Sequence, residues 1–268
     1  MSRVSVSGGA SLHTRIDDGP GPDAPWIVLS NSLAADHTMW DRQIPLLTGR
    51  YRVLRYDTRG HGASDAPEGP YSFDMLVGDV LAVMDHHGIA RAAFMGLSLG
   101  GMTGLGLALS RPERVDRLVC CDARADAPEG FVKSWDDRIA AVGSGGTAAI
   151  LAATVERWLV PAFRAAHPAV VRDVERMILA TSASGYRGCA EALKRLDYLK
   201  DIARMSVPVL YVVGAEDMAA PPDAMRAMAA ATPGSRLAIV ADAAHLANLD
   251  NAEGFEAAVS GFLELASA

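Results

Sequence analysis

A G-x-S-x-G pattern at residues 96–100, with Ser98 at its centre, constrains the fold of this chain more than any other feature. The apolar run at 91–95 predicts a buried strand before it, and the small-residue stretch at 99–109 predicts a helix after it. The serine backbone is strained at such a tight turn, and only small flanking residues let the strand and the helix pass each other. The hydroxyl is then held at the tip of the turn, beside the N–H groups that begin the helix. The pattern therefore predicts a serine nucleophile.

Strand and helix patterns alternate along most of the chain, which indicates an α/β fold. After an opening antiparallel hairpin, short continuous apolar runs predict strands that are buried on both faces, and amphipathic stretches predict helices between them. This alternation favours a mostly parallel central sheet with helices on both faces. The predicted strands span residues 3–6, 10–16, 26–29, 51–56, 91–95, 115–121, 207–213 and 235–240, and the predicted helices span 39–47, 72–87, 99–109, 222–231 and 252–266.

The alternation stops after residue 122, and only helical patterns follow as far as residue 199. These predicted helices span residues 131–142, 147–159, 161–166, 169–181 and 186–198. A helical insertion at the edge where strands end is typical of a cap over a site. We therefore divide the chain into a core of residues 1–123 and 200–268 and a helical cap of residues 124–199, inserted after the strand that follows the nucleophile helix.

The overall composition argues against several classes of function. A formal net charge of −7 over 268 residues disfavours binding to nucleic acid or to an anionic membrane surface. No apolar run reaches the roughly 18 residues that a membrane-spanning helix needs, and no signal peptide is visible. The three cysteines have no metal-ligand spacing, which favours a cytoplasmic protein with reduced thiols and no bound metal.

A serine nucleophile needs a base within hydrogen-bonding reach, and the base needs an acid that fixes its tautomer. In an open parallel sheet these groups lie where the strands end. His245 follows the last predicted strand and is the candidate base. Asp217 follows the strand before it and is the candidate acid, which gives the chain order serine, acid, histidine. Glu216 and Asp122 also stand after predicted strands, so they remain alternative acids.

The oxyanion that forms when a serine attacks a carbonyl needs two backbone N–H donors. Leu99, directly after the serine, is the candidate for the first donor, and Leu33, in the loop after the strand at 26–29, is the candidate for the second. No dinucleotide-binding glycine pattern follows the first strand, and no phosphate-binding loop is present. The sequence thus predicts a catalytic site that uses no cofactor.

Several stretches resemble the α/β-hydrolase superfamily and, within it, the 3-oxoadipate enol-lactonases. They are residues 30–33, 39–41, 55–64, 96–102, 156–158, 161–164 and 243–248, so the resemblance covers nearly the full length. Most members of the superfamily carry His-Gly where this chain has Asn31-Ser32, and the Asn-Ser form is typical of these lactonases. The resemblance implies a hydrolase that opens 3-oxoadipate enol-lactone to 3-oxoadipate in aromatic-compound catabolism, through an acyl-enzyme.

Residues 121–124 depart from the pattern of these lactonases and leave a sister activity open. The alternatives are a carboxylesterase, a C–C bond hydrolase or a perhydrolase of the same fold and, more remotely, a non-catalytic small-molecule receptor. The expected partner in each case is a small molecule, which is a lactone or an ester for the hydrolases. Neither a nucleic-acid nor a membrane partner is expected, and a homo-oligomer is left open.

The resemblance also implies a substrate that carries a carboxylate, which a chain of net charge −7 must hold with a local cation. Trp135 and Arg138 stand three residues apart on one predicted cap helix and share a face. A guanidinium can bind a carboxylate with two hydrogen bonds, and a neighbouring aromatic ring would exclude water. In the alternative interpretation, Arg138 is a surface residue paired with Asp136 or Asp137. Other candidate cations are Arg187, Arg195 and Lys133.

Overall fold

The computed structural model describes residues 1–265 and contains one eight-stranded sheet. Its strands are β1 Ser2–Ser5, β2 Ser11–Asp17, β3 Trp26–Ser30, β4 Arg52–Tyr56, β5 Ala92–Leu97, β6 Val115–Cys121, β7 Val209–Gly214 and β8 Arg236–Val240. They lie in the order β1-β2-β4-β3-β5-β6-β7-β8. β1 pairs with β2 and β2 with β4 in antiparallel fashion, and all the other pairs are parallel. The predicted fold class and opening hairpin are confirmed.

The helices are α1 Ile44–Leu47, α2 Phe73–His86, α3 Leu99–Ser110, α4 Glu129–Gly145, α5 Leu151–Trp158, α6 Pro161–Ala166, α7 Pro168–Ala180, α8 Ala183–Leu193, α9 Pro222–Ala231, α10 Ala247–Asp250 and α11 Ala252–Leu263. Successive strand residues face opposite sides of a sheet, so the unbroken burial of β5 and β7 means that both faces are covered there. No helix within residues 1–265 is long and apolar enough to cross a bilayer.

Helices α4 to α8 separate β6 from β7, and within the described residues this helical segment contains no strand. Its two ends meet in a single bridge between Asp126 and Asp197. The predicted helix at 186–198 is wrong in extent, because α8 begins at Ala183 and ends at Leu193. The N–H groups of residues 198 and 199 both donate to the carbonyl of Ala125, so the chain must leave the helix to close the segment. The exact division into core and cap stays a prediction.

Two predicted helices of the core also differ from the structure. The helix predicted at 39–47 is a 3-10 helix, His37–Gln43, followed by the single turn of α1. Pro45 lacks the N–H that a continuous α-helix would need at that point, which explains the break. The final helix was predicted to reach Ala266, which lies outside the described residues, and α11 ends at Leu263.

The helical segment contacts the core where two glycines meet. A Cβ built on Gly185 of α8 would lie 2.3 Å from the Cα of Gly60, in the loop after β4, and the reverse distance is 2.2 Å. Ser182 caps the N-terminus of α8, and both its N–H and its hydroxyl donate to the carbonyl of Gly60, at 3.1 Å each. Backbone therefore packs on backbone here, and no side chain fits between the two elements.

The substitution Gly185→Ala should lower the free energy of unfolding by about 1–3 kcal/mol, because the added methyl group forces the two backbones apart. Gly143→Ala, on the exposed face of α4 with nothing within 4 Å of the added Cβ, is the matched control. It should stabilise the protein by roughly 0.5–1 kcal/mol, because alanine favours the helix. Urea unfolding of both variants checks this, and equal effects at the two positions would contradict the close approach.

Candidate active site

Ser98 lies in the turn between β5 and α3 with φ 55° and ψ −115°, in the positive-φ region that side chains rarely adopt. Its backbone N–H donates to the carbonyl of Cys121 at 2.8 Å. A Cβ on Gly96 would lie 2.2 Å from the carbonyl oxygen of Gly100, and one on Gly100 would lie 2.3 Å from that of Ser30. Glycine is therefore required on both sides of the serine, as the sequence pattern predicts.

His245 and Asp217 are joined by a hydrogen bond at the ends of neighbouring strands. His245 Nδ1 lies 2.9 Å from Asp217 Oδ2. Asp217 Oδ1 accepts from the N–H groups of Ala219 at 2.7 Å and Ala220 at 3.1 Å. These two amides fix the carboxylate, which in turn places the ring proton on Nδ1 and leaves Nε2 as an acceptor. Both side chains are almost fully buried.

Ser98 and His245 line the same cavity of about 320 Å³ between the core and the helical segment. No hydrogen bond joins the hydroxyl to the ring within residues 1–265, and such contacts often tighten only when substrate is bound. The ring of Trp158, at the end of α5, lies 6.3 Å from that of His245. The wall that the helical segment contributes includes Phe131, Trp135, Arg138, Thr154, Arg157, Trp158, Tyr186 and Leu193.

The N–H groups of Leu33 and Leu99 donate to no acceptor within residues 1–265. Leu99 is the first residue of α3, where helical N–H groups have no partner inside the helix. Leu33 lines the cavity, and its neighbour Ala34 donates a backbone N–H to His61 Nε2 at 2.9 Å. His61 Nδ1 in turn lies 3.0 Å from the carbonyl of Arg59, and burial lowers the pKa of His61. A neutral histidine thus fixes the loop that holds the Leu33 amide.

Arg138 stacks on Trp135, with its guanidinium carbon 4.5 Å from the ring centroid, and both side chains line the cavity. The alternative pairing with Asp136 or Asp137 is wrong. Asp136 binds Lys194 at 2.7 Å, and Asp137 lies 3.5 Å from Lys133. Lys133 is thus paired outside the cavity, as is Arg195 with Glu191, and Arg187 lines a separate surface pocket.

Three arginines line the cavity, Arg124, Arg138 and, on α5, Arg157, and no spacing in the sequence points to Arg157. Arg124 binds Asp126 at 3.0 Å. Neither Arg138 nor Arg157 has a carboxylate partner within residues 1–265. Burial lowers the pKa of Arg138, and burial together with the charge of Arg138 lowers that of Arg157 to about 10. Both guanidinium groups therefore remain charged at neutral pH, and no carboxylate in the described part of the chain pairs with them. The only sequence signal for Arg157 is that residues 156–158 resemble the lactonases.

The two alternative acids do not bind the candidate base. The hydrogen bond from His245 goes to Asp217, whereas Asp122 Oδ1 accepts from the N–H of Gly214 at 2.8 Å. Glu216 is exposed. The structure therefore brings together the serine, histidine and aspartate that the chain order predicts.

Asp250 links the His245 loop to the helical segment. Its carboxylate accepts from the N–H of Ala244 at 2.8 Å and from that of Val160 at 3.1 Å. The N–H of Leu246 also donates to the carbonyl of Trp158 at 3.0 Å. Burial raises the pKa of Asp250 to about 6, although the two N–H donors act in the opposite direction. The position of the candidate base thus depends on contacts from both parts of the molecule.

The substitution Asp250→Asn should alter how stability depends on pH. An aspartate in the unfolded chain has a pKa of about 3.9, which is lower than the pKa of Asp250 in the folded protein. Between these two pKa values the folded state binds more protons than the unfolded state. The contribution of Asp250 to the free energy of unfolding therefore falls as pH rises from the lower value through the higher one. Asparagine keeps an oxygen acceptor and has no charge to bury. The variant's free energy of unfolding, relative to wild type, should therefore rise between pH values of about 4 and 6 in urea titrations.

Asp242→Asn is the matched control, because it makes the same change at an exposed position of the His245 loop. If the free energies of unfolding of Asp250→Asn and wild type differ by a constant amount over the same pH range, the raised pKa of Asp250 is contradicted.

The comparisons with known proteins agree with this geometry. Residues 25–252 match the α/β hydrolase fold family. The 3-oxoadipate enol-lactonase 2 of Acinetobacter baylyi is 35% identical over 242 residues, which cover 90% of this chain and 90% of that protein. A protein of Caulobacter sp. (strain K31), provisionally named as the carbamate hydrolase RutD, is 31% identical over 94% of this chain and 95% of its own length.

A solved structure extends the similarity to three dimensions. The crystal structure of the enol-lactonase from Burkholderia xenovorans LB400 superposes with a TM-score of 0.93 at 38% identity, covering 98% of this chain and 100% of that one. The similarity to these relatives, in sequence and in structure, thus extends over nearly the whole chain. The chain belongs to the α/β-hydrolase family and is a hydrolase.

Proposed function

We propose that this protein opens a small enol-lactone that carries a carboxylate, with 3-oxoadipate enol-lactone as the substrate. The observation that carries the proposal is the pair of arginines, Arg138 and Arg157, without a carboxylate partner in the described residues and in the same cavity as Ser98 and His245. The names of the Acinetobacter and Burkholderia relatives support the same substrate class. The proposal includes a place in aromatic-compound catabolism in the cytoplasm, and the three free, buried cysteines are consistent with a reducing compartment.

In the first half of the reaction, the Ser98 hydroxyl attacks the lactone carbonyl while His245 Nε2 takes its proton. Asp217 stabilises the imidazolium that forms, through its hydrogen bond to Nδ1. The N–H groups of Leu33 and Leu99 stabilise the negative charge on the carbonyl oxygen. The ring C–O bond then breaks and the enolate leaves. The protonated His245 gives its proton to the enolate, which becomes the ketone, while the acyl group stays on Ser98 and His245 is again a neutral base.

In the second half, a water molecule attacks the acyl-enzyme. His245 takes a proton from this water and returns one to the Ser98 oxygen as the ester bond breaks. The product carries two carboxylates where the substrate carried one. No cofactor takes part in this scheme.

The two arginines offset the unfavourable field of a chain with net charge −7. Charges interact strongly in a site that excludes water, and the indole of Trp135 covers one face of the Arg138 guanidinium. Two fixed cations side by side repel each other, and a carboxylate between them relieves this repulsion. The helical segment, which supplies both arginines and the tryptophan, would thereby select the substrate.

The substitutions Arg138→Gln and Arg157→Gln test the proposal. Each should lower kcat/KM for the carboxylate-bearing lactone by about 10²-fold, the scale of a lost charge-assisted hydrogen bond, mainly by raising KM. Turnover of a neutral p-nitrophenyl ester should change little, because it carries no carboxylate to bind. Steady-state kinetics on both substrates provide the measurement.

Arg172→Gln, at an exposed position of α7, is the matched control and should leave both substrates unaffected. Equal losses on the lactone and the neutral ester would show that the arginines support the fold only. Wild-type protein that turns over the ester but not the lactone would refute the proposed substrate.

A further inference from the structure

A second carboxyl group lies beside the candidate triad. Asp122 directly follows β6 and is fully buried, with φ 46°. Its N–H donates to the carbonyl of Val212, and its Oδ1 accepts from the N–H of Gly214, both at 2.8 Å. Its Oδ2 is buried and accepts no hydrogen bond from a donor within residues 1–265. A buried carboxylate oxygen without a donor is costly, so the protonation state of this group needs an explanation.

Asp217 lies near Asp122 in the fold, at the end of the neighbouring strand. The strands that precede the two residues pair, with Cys121 opposite Val212, and the N–H of Asp217 turns back to the carbonyl of Gly214 at 3.2 Å. Both residues thus bind the backbone of Gly214, Asp122 through its carboxylate and Asp217 through its N–H, which brings the two side chains to the same buried place. Two neighbouring buried carboxylates cannot both ionise readily, so one of them holds a proton.

The hydrogen-bond donors decide which group holds the proton. Among residues 1–265, Asp217 accepts from three N–H groups, two from the backbone and one from the His245 ring, whereas Asp122 accepts from one. Donors favour the charged form of a carboxyl group, so the proton belongs on Asp122, which has fewer of them. Burial and the negative charge of Asp217 raise the pKa of the Asp122 carboxyl well above its ordinary range. A carboxylate offers about four lone-pair sites, so Asp217 can accept one further donor.

We propose that Asp122 is a neutral acid whose O–H donates to the Asp217 carboxylate, and that it acts as a positioning residue for the Asp217–His245 pair. This proton gives the buried Asp122 oxygen a partner and Asp217 a fourth donor. His245 then faces one negative charge instead of two, which keeps the imidazolium from being overstabilised and the ring available as a base. The role rests on the proposed function, because Asp122 acts through the candidate triad.

The variants Asp122→Asn and Asp122→Ala test this role. Asparagine is neutral, its oxygen can accept from Gly214, and its amide can donate to Asp217. Asp122→Asn should therefore keep kcat and the acid limb of the kcat/KM profile close to those of wild type. Asp122→Ala removes a hydrogen bond to a charged group and should lower kcat by about 10-fold to 10²-fold. Its acid limb should move to higher pH, because Asp217 then loses a donor and stabilises the imidazolium more.

Asp217→Asn serves as the comparison, since it places an N–H donor against His245 Nδ1 and should cost about 10⁴-fold in kcat. Fluorophosphonate labelling of Ser98, followed over the same pH range, reports the same base without needing the lactone. A failure of the proposed substrate is therefore distinguishable from a failure of this role.

Two results would overturn the proposal. If Asp122→Asn moves the acid limb to lower pH, wild-type Asp122 is ionised and adds a second charge beside His245. If Asp122→Ala loses stability while its acid limb stays in place, Asp122 is structural only. Infrared spectroscopy of the wild-type protein at pH 8 covers the case in which the variants do not fold. A carbonyl stretch from a protonated carboxylic acid is expected, and its absence would overturn the proposal.

Discussion

The backbone contact between the Ser98 turn and the strand ends beside it is the constraint on which the rest of this molecule depends. The N–H of Ser98 is bound to the last residue of β6, and Gly100 lies against the last residue of β3. A turn this tight cannot accept a side chain at either glycine, so the sequence pattern and the geometry imply each other. The strained backbone places the Ser98 hydroxyl at the cavity, beside the first N–H groups of α3.

Electrostatics then divide the site into two regions of opposite character. Acidic groups lie on the core side, where Asp217, Asp122 and Asp250 surround the His245 loop. Cationic groups lie on the side of the helical segment, where Arg138 and Arg157 have no counter-ion within the described residues. A substrate with a reactive carbonyl at one end and a carboxylate at the other fits this polarity. The hydrogen bonds that Asp250 accepts from the His245 loop and from the helical segment hold the two regions in place relative to each other.

Much of this arrangement was predictable from the sequence, because local pattern fixes local structure. The Ser98 turn follows from the glycine pattern around it. The positions of Asp217 and His245 follow from where their strands end, since the carboxyl ends of parallel strands share one edge of the sheet. Arg157 was not predictable, because its place in the cavity depends on how α5 packs against α4, and no spacing rule links two separate helices. The end of α8 was also missed, since a tertiary contact with Ala125 determines it. The sequence favoured Asp217 as the acid but left Asp122 as an alternative, because the two follow neighbouring strands; the hydrogen bond to His245 distinguishes them.

The proposed reaction requires that Ser98 forms a covalent acyl intermediate with a carboxylate-bearing lactone. Acid quenching of the wild-type enzyme during turnover of 3-oxoadipate enol-lactone, followed by intact-protein and peptide mass spectrometry, tests it directly. We expect a fraction of the protein to be heavier by the mass of one lactone, with the added mass on the peptide that contains Ser98. Turnover with the adduct on another residue, or undiminished turnover in Ser98→Ala, would contradict it.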